Sequence, residues 1–69
     1  MTRDDAEQLM RIYSRIGELL NSADPIIRNI SDENERKRLL RSLGEMMADL
    51  WLKLESPLVK QFPELDPDK

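Results

Sequence analysis

A chain of 69 residues has room for one domain, and with neither cysteine nor histidine it can form no disulfide and lacks the commonest zinc ligands. Charged residues make up 36% of it and hydrophobic ones 39%, with a net charge of -3. That balance suits a folded helical domain and argues against a disordered tail or a dedicated nucleic-acid binder, which carries a basic excess.

No apolar run follows Met1-Thr2-Arg3-Asp4-Asp5, and none approaches the roughly 18 to 20 residues of a membrane span, so a soluble cytoplasmic chain without a secretory signal is expected. A domain this small buries only about 60% of the surface its unfolded form exposes, so its core needs a staple. With disulfides excluded, association with another chain is the expected one.

Thr2 is a good N-cap, and Asp4, Asp5 and Glu7 place negative charge where the helix dipole favours it. Ala6, Leu9, Tyr13, Ile16, Leu20 and Ala23 then follow alternating three- and four-residue steps, a heptad-like seam. Met10 and Gly17 flank it on one side, Ile12 and Leu19 on the other. The apolar arc covers roughly half the circumference, wider than docking on one neighbour requires.

Pro25 predicts an end to this first helix, about 3–22, near Asn21 or Ser22. Asp24-Pro25 then caps a connector turn over 25–30, whose Ile26, Ile27 and Ile30 plug the end of the core.

Ser31 is the expected cap of a second helix, about 32–55. Its apolar face comprises Leu39, Leu40, Leu43, Met46, Met47, Leu50, Trp51 and Leu54. Ser56-Pro57 opens a short helix, 57–62, in which Leu58 and Phe62 are placed to fold back on the rest. Pro63 closes the domain (1–63), and 64–69 reads as an extended or disordered tail.

The predicted fold is all-α: an antiparallel hairpin with a connector helix and a short C-terminal helix. Because a hairpin has no third layer, dimerisation into a four-helix bundle is expected. Leu9, Ile12, Tyr13, Ile16 and Leu19 of the first helix, with Leu43, Met46, Met47, Leu50 and Trp51 of the second, are the candidate protein interface. The methionines are expected to be ordinary core. Trp51 is either an anchor for a partner or a cover over the isoleucine plug. Gly17 and Gly44, inside helices, imply close approach of a neighbouring helix.

The expected function is a small protein-interaction module, a homo-oligomeric hairpin or a subunit docking on a larger protein, without catalysis. The alternative is a nucleic-acid-binding hairpin using Arg28, Arg36, Lys37, Arg38 and Arg41. Residues 28–41 carry five positive and three negative charges within an acidic chain. Arg41 and Glu45 are spaced as an i,i+4 pair, and stacking aromatics are limited to Tyr13, Trp51 and Phe62, so a solvated face is the simpler account. Asp32, Glu33 and Glu35 are explained by a helix start, and Asp66 and Asp68 lie in the tail. No nucleophile with a base, metal-ligand spacing or phosphate-cradling glycine loop is found, so no catalytic residue, metal, cofactor or small-molecule substrate is assigned.

Overall fold

The computed structural model describes residues 1–66 and is helical almost throughout, with no strand among the described residues. Helix α1 runs Arg3–Arg28, α2 Glu33–Asp49, a π-helical turn Leu50–Glu55, α3 Ser56–Gln61, and a final 3-10 turn Pro63–Leu65. No helix among the described residues is long and apolar enough to cross a membrane.

Helix α1 starts where its cap dictates. The Thr2 hydroxyl accepts from the Asp5 amide at 3.1 Å, and the Asp5 carboxylate accepts from the Thr2 amide at 3.3 Å, a reciprocal capping box. Its end lies beyond the expected one. Pro25 sits inside the helix rather than ending it, and the connector is the last turn of α1. Pro25 and Asn21 are both exposed, so the Asn21 carbonyl that loses its donor faces water. Downstream, Ile27 and Ile30 are half-buried, and Arg28 bridges back to Asp24 at 2.7 Å across the proline. Apolar burial and this pair hold the turn that local propensity opposes.

The chain reverses over Asn29–Asp32. The cap of α2 is Asp32, one residue later than expected, accepting from the amides of Asn34 (3.0 Å) and Glu35 (3.3 Å). A carboxylate at this position adds a favourable charge–dipole contact that Ser31 lacks. The Arg36 guanidinium donates to the Ile30 carbonyl at 2.9 Å and ties α2 to the loop.

The predicted second helix contains a register change. Leu50–Glu55 is a π-turn, in which the Ser56 amide donates to the Trp51 carbonyl five residues back. Pro57 gives a cause, since its ring collides with the carbonyl four residues earlier in an α-helix, and the wider turn relieves that clash. The spacing gives a benefit. Leu50 and Leu58, both buried, are eight residues apart, one more than the about 7.2 residues of two α-turns. The extra residue keeps Leu58 on the inner face, turns Leu54 outward, and sets Glu55 half-buried where an apolar residue would otherwise lie. That burial pushes the Glu55 carboxyl above its ordinary pKa.

The helix runs through Ser56-Pro57 without the expected break, and Leu58 packs on α1 as its continuation, forming a cluster with Ala6 and Met10 against which Leu9, Tyr13, Val59, Phe62 and Leu65 pack. The segment expected to be extended from residue 64 instead makes the 3-10 turn, fastened by Arg3 to Glu64 at 2.8 Å. The remainder of the expected tail, 67–69, lies outside the described residues.

The result is a slender hairpin measuring 46 × 19 × 16 Å. Its radius of gyration is 14.7 Å, where a compact globule of this length has about 11 Å. Only Ala6, Met10, Leu50 and Leu58 are buried among the described residues.

Candidate functional site

Packing of α1 on α2 divides the broad apolar arc of α1 into two parallel seams. The inner one runs Ala6, Met10, Tyr13, Gly17, Leu20, Asp24 and Ile27, each buried or half-buried. Met10 and Gly17, expected at the flank, are therefore central. At Gly17 a Cβ would meet Leu50 Cδ2 at 3.5 Å, ordinary van der Waals contact, which shows that Leu50 sits opposite this point. Gly44 is different: nothing lies within 4 Å of its Cβ position, so the close helix approach expected there is absent within the chain.

The outer seam of α1 runs Leu9, Ile12, Ile16, Leu19, Ala23 and Ile26, again with heptad spacing. Ile12 is 53% exposed, Leu19 72% and Ile26 71%. Met46 of α2, expected in the core, is 57% exposed. Ile16, Leu20, Met46, Leu50 and Leu54 line an apolar groove of about 360 Å³, rimmed by Asp49 and Lys53, which pair at 3.6 Å. The groove puts the outer seam of α1 and the Met46 edge of α2 on one face.

The ten residues expected to form the interface thus separate by role. Leu50 is buried within the chain, and Leu9, Tyr13, Leu43 and Met47 are half-buried. Ile12, Ile16, Leu19, Met46 and Trp51 remain exposed. Leu39, Leu52, Leu54 and Ile26 are exposed as well and were not assigned to the interface from sequence.

Trp51 does not cover the isoleucine plug. Leu50 faces Gly17, so Ile26 and Ile27 lie roughly 14–15 Å farther along α1 at 1.5 Å per residue, and Ile30 follows the end of that helix. Trp51 is itself exposed.

Three of the five basic residues are engaged within the chain. Arg28 is paired with Asp24, Lys37 with Glu33 at 3.0 Å, and Arg36 with the Ile30 carbonyl. Arg38 and Arg41 are exposed. The expected Arg41–Glu45 bridge does not form, whereas Arg3–Glu7, Arg11–Glu7 and Lys53–Asp49 do. Asp32 is committed to its cap, and no cluster of metal-ligating side chains occurs among the described residues.

The fold and the exposed face define an all-α helical hairpin with one unpaired apolar side. Comparison with known proteins found no matching family, no matching curated protein and no matching solved structure.

Proposed function

We propose that this chain is a protein-interaction module whose outer apolar face is completed by helices of another chain, giving a four-helix core, and that it performs no catalysis of its own. The observation that carries this reading is the coexposure of Ile12, Leu19, Ile26 and Met46 on a hairpin that buries only four of its described residues. Scattered surface leucines are normal on a folded protein, but a contiguous apolar face on so small a body marks a contact surface.

Surface area supports the same reading. The accessible surface is 5309 Å², against about 4,500 Å² for a typical folded monomer of 8.1 kDa. The excess belongs to a slender body that leaves one side of its helices uncovered. The basic segment 28–41 offers a weaker case for nucleic acid, since three of its five cations are already engaged within the chain.

Sedimentation equilibrium, paired with binding to proteins of the native host, tests the proposal. Association abolished by Leu19→Lys is the expected result. A folded chain that stays solitary at every concentration and takes no host protein through this face would overturn it.

A further inference from the structure

The outer seam of α1 matches itself on reversal, and we infer that its occupant is a second copy of this chain, with α1 laid antiparallel on α1 of the copy about a twofold axis level with Gly17 and Glu18. This rests on the interaction reading above and goes further by naming the partner and its register.

Leu9, Ile12, Ile16, Leu19, Ala23 and Ile26 are spaced three, four, three, four and three residues apart, the same from either end. Laid against its reverse, Ile16 faces Leu19 of the copy, Ile12 faces Ala23, and Leu9 faces Ile26. A twofold contact requires this kind of self-matching patch, because every contact occurs twice. The match also holds in size: two large side chains meet at the axis, while the large Ile12 is set against the small Ala23.

No charged residue lies on the seam. Arg15, at its margin, meets Ser22 of the copy rather than a like charge. Helix α2 carries the weaker matching stripe, Leu39, Ser42, Met46, Asp49 and Lys53, so seating α1 on α2 of the copy would set aliphatic residues against a carboxylate and an ammonium. Seating α1 on α1 avoids this.

The absence of native cysteine permits a clean test on the full chain. Ile16→Cys and Leu19→Cys chains are mixed in equal amounts, unfolded, refolded together and oxidised. The expected product is the mixed 16–19 disulfide, in clear excess over the share random pairing gives, because these positions face each other. Sedimentation of the unmodified chain shows a dimer, and Leu19→Lys weakens it by roughly 100-fold or more. Should Leu19→Lys fail to fold, the disulfide ratio alone decides.

A dimer whose disulfides form only at random, or which Leu19→Lys leaves intact, overturns this arrangement while leaving the interaction reading in place. A folded monomer that engages a host protein through Leu19 overturns self-pairing and keeps the module. A folded monomer that engages nothing removes both.

Discussion

Gly44 and Glu55 are the residues whose local chemistry fits the isolated hairpin least well. Gly44 is exposed with open space around it, so glycine there has only its entropic cost. Gly44→Ala should raise stability by about 0.5–1 kcal/mol, measured by urea denaturation. Glu55 owes its raised pKa to burial. Below the ordinary carboxylate range it is protonated in both folded and unfolded chains and costs nothing. As pH rises through its folded pKa, it must ionise in a partly dry place, and stability is lost. Glu55→Gln should therefore raise the melting temperature at neutral pH, with the gain vanishing toward about pH 4. A gain that is the same at both ends of the titration would contradict the burial argument.

At the level of elements, the π-turn and α3 together carry the end of the hairpin. Leu58 is buried against Ala6 and Met10, so Leu58→Ala should cost about 2–4 kcal/mol. Glu64→Gln, which takes the charge from the exposed bridge to Arg3, should leave the melting temperature nearly unchanged. The π-turn itself makes a sharper prediction. Deleting the exposed Lys53 restores the seven-residue α-spacing from Leu50, so deletion combined with Pro57→Ala should keep both helicity and the burial of Leu58. Deletion with Pro57 retained should be worse by about 3 kcal/mol, since the ring then meets an α-helical carbonyl. Circular dichroism during thermal melting separates the two.

Much of this level was legible in the chain. Thr2 named the start of α1, and Leu58 with Phe62 named the segment that packs on it. What escaped follows from weighing Pro25 and Ser56-Pro57 locally. A proline's cost is set by whether its neighbours gain burial, and Ile27 and Leu58 do. The eight-residue step from Leu50 to Leu58 was visible, but its meaning depends on knowing that both side chains face α1.

For the whole molecule, the sequence-level width of the apolar arc translated into exposed surface, but its division did not. Two heptad seams share one helix, and only the position of α2 shows that Met10 and Gly17 belong inside while Ile12 and Leu19 belong outside. If the outer seam takes up a second chain, folding and association are linked, and the melting temperature should climb with protein concentration. A melting curve independent of concentration would mean the hairpin stands alone.

The packing of Leu58 on α1 has one more effect. It buries Ala6 and Met10 near the Thr2 end of α1, whereas the Asn29 end, beside α2, has no fully buried residue and carries a proline one turn before the loop. Protection of backbone amides from solvent hydrogen should accordingly be steepest around Met10 and Tyr13 and fade toward Ile30. The hairpin would open from its bend, like a zip parting at the fold, while its two ends still hold each other.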